Sequence, residues 1–277
     1  MLKGLRSIGV LIVTLAVVTS CSKFRKIQKS DDWEIKYNAA MEYYENNDYY
    51  RSSILFEEIL PIMRGRPEAE QVQFYFAYAH FYQKQYLLAS HHFTTFYRTY
   101  SRSELVEEAM FMQAYSLYLD SPDYNLDQTS THEAIQSMQT FFNRYPRSDY
   151  SEQASDIIND LQIKLEEKAY RNAYHYYKLE KYNGGEALKA ALIAFENFQK
   201  DYPDSGWNED ATYYMVEIAY KLAKKSIRSK QEERLYKAIE YYEYFIDNFP
   251  DSKLVRSAEN IYDDCLADLE KYNRNNL

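Results

Sequence analysis

Small, aromatic and apolar residues recur along this chain at spacings of four and then three, which places each set on one face of an α-helix. Five segments share the triplet: Ser52, Phe56 and Ile59; Ala89, Phe93 and Phe96; Ala134, Met138 and Phe141; Ala191, Phe195 and Phe198; Ala238, Tyr242 and Phe245. The small residue lets a partner helix approach closely, and the two larger ones fill the space between helices. Four of the segments run on into a second shared phrase. Phe141, Tyr145, Pro146 and Ser148 recur as Phe198, Tyr202, Pro203 and Ser205, and again as Phe245, Phe249, Pro250 and Ser252. A looser copy has Phe96, Tyr100 and Ser103, with Ser101 in the proline position. Alanine follows each last serine after six residues, at Ala109, Ala154, Ala211 and Ala258. Proline cannot donate its backbone N–H and crowds the preceding turn, so it stops one helix. Serine two places later can cap the next by accepting an orphan N–H. The phrase is an end-and-restart signal.

Strict alternation over β-branched runs is missing, and six glycines and six prolines in 277 residues leave few interruptions. The predicted fold is all-α: a tetratricopeptide-like α-solenoid of about five helical hairpins plus a C-terminal helix. The expected hairpins cover roughly 31–66, 67–102, 103–147, 148–204 and 205–251, with the last helix over 252–272. Steps between corresponding small residues, from 52 to 89, 134, 191 and 238, are 37, 45, 57 and 47. These exceed the roughly 34 residues of an ideal tetratricopeptide repeat. Inserted loops over 119–131 and over 181–188, around Gly184 and Gly185, are expected to hold the excess.

The N-terminus reads as an export signal. Lys3 and Arg6 form a basic head, and Ile8 to Val18 form an apolar run too short to span a bilayer with ordinary flanks. The run ends in Val18, Thr19, Ser20 and Cys21, which resembles a bacterial lipobox. The resemblance implies that residues 1–20 are a signal peptide and that Cys21 is lipidated. Residues 21–30 would then be the lipidated cysteine and its tether. Ser22, where Asp would be the retention signal, implies onward transport to the outer membrane. Residues 23–29 are basic, and two readings stand: a strip against anionic headgroups or a solvated tether.

Removing residues 1–20 takes away Lys3 and Arg6 and moves the formal charge from -9 to -11. An acidic body argues against nucleic acid, whose binding neutralises phosphates with Lys and Arg. With Cys21 consumed by lipid, Cys265 stands alone among apolar helical neighbours, so it reads as a small core residue and no disulfide framework exists. The histidines, His80, His91, His92, His132 and His175, show no metal-ligand spacing, and neither a phosphate-cradling glycine loop nor a nucleophile elbow occurs. The expectation is a non-enzyme with no cofactor and no metal.

The repeated aromatic-Pro-x-Ser phrase inside such hairpins, downstream of a lipobox, resembles the BamD family of outer-membrane lipoproteins. The likeness covers most of residues 30–270. It implies a lipid-anchored scaffold on the periplasmic face of the outer membrane, in the β-barrel assembly machinery. Its C-terminal repeats would dock on a BamA-like β-barrel subunit, and its N-terminal repeats would receive unfolded outer-membrane protein precursors. The family's arginine on the second helix of its fourth repeat falls at Ala194, so either that contact has moved, to a residue of 181–188 for instance, or this branch docks differently. The alternative is a periplasmic adaptor of the YbgF/CpoB type. Such adaptors carry a coiled coil ahead of their repeats, and residues 22–35 are too short for one.

Tyrosine, of which there are 31, suits a surface that grips extended chains, since it pairs a large apolar ring with a polar tip at low rotamer entropy. Placing Ala40 and Ala77 at the small packing position puts Tyr37, Met41 and Tyr44 on the concave side of the first hairpin. It puts Phe74, Tyr78, Phe81 and Tyr82 on that of the second. These seven residues are the expected peptide-binding set, with inter-repeat packing as the competing use of the same rings.

Overall fold

The computed structural model describes residues 23–274, and every regular element among them is a helix. A short helix α1 (23–28) leads into α2 (Trp33–Glu45), α3 (Tyr49–Ile59), α4 (Ala69–Tyr82), α5 (Tyr86–Thr99), α6 (Val106–Asp120) and α7 (Thr129–Arg144). There follow α8 (Ser151–Lys178), α9 (Glu180–Asp201), α10 (Asn208–Lys224), α11 (Arg228–Asn248) and α12 (Val255–Arg274). Sequential helices pack as hairpins, α2 with α3, α4 with α5, α6 with α7 and α10 with α11, and α12 closes against α10 and α11. The pair α8 and α9 meets through Tyr170, Ala173 and Tyr177 on one helix and Leu188, Ala191, Phe195 and Phe198 on the other. This is the all-α, tetratricopeptide-like arrangement that the periodicity predicts.

Two compact units divide the chain. The first runs to Pro122 and resumes over Gln128–Asn159, and the second takes Asp123–Asp127 and everything from Asp160 onward. Cys21 and the leader lie outside the described residues.

The triplets form the cores. Ser52, Phe56, Ile59, Ala89, Phe93, Phe96, Ala134, Met138, Phe141, Ala191 and Phe195 are fully buried, and Phe198 and Ala238 nearly so. Only Tyr242 departs: it is half-buried, stacked on Tyr262 at 4.5 Å, while Phe245 below it is fully buried. Ala40, Ala77, Ala109, Ala154, Ala211 and Ala258 have no exposed surface, as helix-to-helix contact requires. Removing a large buried apolar side chain from water contributes roughly 1.5–3 kcal/mol, so these recurring phenylalanines carry much of each hairpin's stability.

The punctuation phrase has one local geometry in all four copies. The backbone N–H of Tyr100, Tyr145, Tyr202 and Phe249 closes on the carbonyl of Phe96, Phe141, Phe198 and Phe245 at 2.8–2.9 Å. The two rings of each pair then meet across the last helical turn at 5.3–5.8 Å. Ser103, Ser148, Ser205 and Ser252 do not cap the following helix directly. Each serine Oγ accepts the N–H two residues on, from Leu105, Tyr150, Trp207 and Leu254, and so heads a tight turn just ahead of the helix. A second bond reaches back to the preceding hairpin. Ser205 Oγ donates to Glu166 at 2.7 Å, Ser252 Oγ to Glu209 at 2.5 Å, and Ser103 Oγ to Glu70.

The excess repeat length is only partly in loops. Residues 121–128 are irregular, as expected, although helix claims both ends of the anticipated stretch. Residues 181–188 are not an inserted loop. Helix α9 already begins at Glu180 and is only kinked, at Gly184, whose φ of 57° and ψ of −130° no L side chain adopts cheaply. The extra residues of the fourth hairpin lie instead in the 28 residues of α8, twice the 14 of α4.

Helix α1 is packed rather than solvated. Phe24 and Ile27, three apart, turn onto the core of the first hairpin. Phe24 meets Tyr43 edge-on at 5.8 Å, and the Arg51 guanidinium sits 5.7 Å from both ring centroids.

Candidate functional site

A continuous run of aromatic rings lies across the first helices of the first three hairpins, all within the first unit. Tyr44 of α2 meets Tyr75 at 4.8 Å and Tyr82 at 6.2 Å, both on α4. Tyr49, at the start of α3, stacks on Tyr82 at 4.6 Å, and Tyr78 also stacks on Tyr82, at 5.7 Å. Phe81 extends the run to Tyr115 of α6 at 5.9 Å, and Tyr115 stacks on Tyr118 at the same separation. Most of these rings are half-buried, and Tyr82 is 47% exposed. The surface therefore offers ring faces and edges without being a closed cavity.

The hydroxyls of the first-helix tyrosines are largely committed. Tyr37 Oη donates to Gln71 Oε1 at 2.9 Å, joining α2 to α4, and Tyr78 Oη donates to Glu108, joining α4 to α6. The second unit repeats the device: Tyr177 Oη donates to Glu217 at 2.8 Å and Tyr220 Oη to Asp268 at 3.2 Å. Each bond links the first helix of one hairpin to the next helix of the same rank. Burial, reinforced at Tyr78 by the Glu108 carboxylate, holds the Tyr44 and Tyr78 hydroxyls far above the usual phenol range, so both remain protonated. At Lys221 burial opposes the charge, yet the bonds to Glu217 and Tyr177 prevail and raise its pKa.

The seven residues singled out by the sequence thus separate. Tyr44, Tyr78, Phe81 and Tyr82 come together in the ring run. Tyr37 and Met41 sit at the margin of the first core. Phe74 is a correction: it is 6% exposed, 5.1 Å from Phe96 and edge-on to Phe93 at 6.2 Å, so it fills the second hairpin and presents nothing to a ligand. The reason is that α5 packs directly over that turn of α4. Tyr49, Tyr75 and Tyr115 belong to the surface although the sequence reading passes them over. The signal for Tyr115 is present, because the step of 37 residues that carries Ala40 to Ala77 also carries Ala77 to Ala114 and Tyr78 to Tyr115.

Two of the five histidines, His80 and His92, are absorbed by packing, while His91, His132 and His175 are exposed. His80 and His92 stack at 4.9 Å, and Phe76 lies 4.6 Å from one and 4.4 Å from the other. Burial, with His80 and His91 adjacent, pushes His92 down to about 4. Cys265 is 1% exposed, and burial pushes its thiol up to about 12, which suits a core residue. Ala194 is half-buried against the core of the second unit and has no reach toward a partner. No helix among the described residues is long and apolar enough to cross a membrane.

Among known proteins, the sequence model of the outer membrane lipoprotein family YfiO matches residues 30–185. That stretch holds the whole aromatic surface and runs to the kink in α9. The search of curated proteins finds no match.

Proposed function

The chain belongs to the YfiO family of outer membrane lipoproteins, and from that premise we propose that it is a non-catalytic subunit of the β-barrel assembly machinery. Lipid on Cys21 holds it to the periplasmic face of the outer membrane, and residues 1–20 are removed on the way. Its N-terminal hairpins receive unfolded outer-membrane protein precursors, and its C-terminal hairpins dock on a BamA-like β-barrel subunit. The observation that supports precursor binding best is the unbroken ring run from Tyr44 through Tyr82 and Tyr78 to Phe81 and Tyr115. Extended barrel strands alternate apolar and polar side chains, and half-exposed tyrosines offer apolar faces at small entropic cost. Within that reading, Tyr44, Tyr78, Phe81 and Tyr82 contact the precursor directly, while Tyr37 and Met41 support the margin.

Affinity purification from membranes with the anchor intact tests the assignment. Recovery of a large β-barrel subunit in near-equal amount is the expected result. Its absence under conditions that preserve membrane complexes would remove the assembly role, and recovery of cell-wall enzymes in its place would favour the periplasmic adaptor.

A further inference from the structure

Helix α1 has two faces. Phe24 and Ile27 are fastened to the first hairpin, and Gln28 Nε2 donates to Glu58 at 3.0 Å. The remaining positions of the helix, Lys23, Arg25 and Lys26, and Lys29 in the turn that follows it, are all basic and all exposed. Lys23 lies 3.3 Å from the exposed carboxylate of Glu42, and Arg25, Lys26 and Lys29 make no ion pair among the described residues. Three cations on one short helix, with a fourth, Lys29, in the turn directly after it, stand out on a body whose formal charge is strongly negative. The sequence places Cys21 two residues before α1, and two extended residues reach no more than about 7 Å. That is within about one Debye length at physiological salt, so a lipid on Cys21 leaves the basic face inside the headgroup field.

We propose that the basic face of α1, clamped to the first hairpin through Phe24 and Ile27, is a docking surface for the anionic phospholipid headgroups of the membrane that holds the chain. The first hairpin then lies against the bilayer in a fixed attitude instead of swinging on a tether. Two features argue for this occupant: the charge complementarity, and the short reach from α1 to the anchoring position. The inference rests on the lipoprotein reading for its biological setting, but its test does not need the lipid.

The test uses the processed chain from position 21 with Cys21→Ser, so that no acyl chain is attached, and vesicles of phosphatidylcholine with or without a quarter phosphatidylglycerol. Sedimentation with the anionic vesicles and not the neutral ones is expected, falling by about tenfold or more as salt rises from about 50 to 500 mM. Lys23→Glu, Arg25→Glu, Lys26→Glu and Lys29→Glu together abolish it. A control with the same change in net charge, Arg147→Glu, Lys200→Glu, Lys253→Glu and Arg256→Glu, retains it. Helical circular dichroism confirms that both variants are folded. Absence of binding by the parent, retention by the α1 variant, or equal loss in the control each overturns the proposal. A chain that binds in this way but is never lipidated in cells leaves the surface intact and removes the anchor from the functional assignment instead.

Discussion

The Ser205 hydroxyl donates to the Glu166 carboxylate at 2.7 Å, joining the serine ahead of α10 to the middle of α8. The same serine oxygen accepts the N–H of Trp207, so one side chain serves the turn and the tie to the preceding hairpin at once. Ser205→Ala is expected to lower stability by about 1–2 kcal/mol, the cost of one charge-assisted hydrogen bond and one turn cap. Ser252→Ala should behave alike through Glu209. A double-mutant cycle on Ser205 and Glu166, read by urea unfolding, should return a coupling of about 1 kcal/mol. Additive losses would show that the carboxylate contributes nothing through this bond.

The ring surface can be probed without dismantling it. Tyr82 is about half exposed, so Tyr82→Ala should leave the fold in place. Combined with Tyr49→Ala, which takes away its stacking partner, it should reduce capture of a barrel-derived peptide by roughly tenfold, in line with two aromatic contacts. Tyr78→Phe separates the other role: it keeps the ring and removes the donor to Glu108. Stability should fall by about 1–2 kcal/mol while peptide capture holds. Fluorescence anisotropy and denaturant midpoints check both. Undiminished capture by the Tyr49 and Tyr82 double variant ends the precursor-binding assignment for this surface.

Acid should weaken the first unit through its stacked histidines. Burial lowers the pKa of His92 to about 4 and also lowers that of His80, while free histidine titrates near about 6.5. Between those values the unfolded chain binds more protons than the folded one, so stability is complete above about 6.5 and is lost as pH falls toward 4. Allowing for the partial exposure of His92, the loss amounts to about 1–2 kcal/mol. His92→Phe, which keeps the contact with Phe76, should flatten this slope in denaturation series at pH 7.5 and pH 5. An unchanged slope would place the acid sensitivity elsewhere.

At the kink in α9, neighbouring glycines should respond in opposite ways. A Cβ on Gly184 meets nothing within 4 Å, but its φ of 57° is strained for any L residue, so Gly184→Ala should cost about 1 kcal/mol or more. A Cβ on Gly185 lies 3.8 Å from Leu222 Cδ1, an ordinary contact, and Gly185→Ala should be neutral or stabilise by up to about 1 kcal/mol. Thermal midpoints of the two variants check the sign.

How far the sequence foretold this depends on whether a feature is written in period or in packing. The triplets and punctuation are periodic, and Phe56, Phe93, Phe141, Phe195 and Phe245 are all fully buried where the period of four and three puts them. Gly184 and Gly185 suggested a loop because glycine is the usual breaker, yet one positive φ absorbs the change of direction and helix resumes at once. Phe74 and Tyr78 share a face of α4 and both meet Phe93 of α5, but Phe74 also packs on Phe96 and is buried while Tyr78 stays half-buried, a difference set by packing and not by period. The Ser–Glu ties are invisible to local patterning, since their partners stand 33, 39 and 43 residues apart.

Those unequal separations carry an engineering consequence. Each tie grips the outset of a hairpin, or of the closing helix α12, and the first helix of the preceding hairpin, so whatever length of chain intervenes is excluded from the joint. Extra residues grafted at the hairpin tip beside Lys84, where the backbone already turns through positive φ and which lies between Glu70 and Ser103, should therefore leave that tie in place. One residue slipped between Pro203 and Ser205 would instead pull the hydroxyl away from Glu166 and unpin two hairpins together. The molecule is permissive at its tips and strict at its seams.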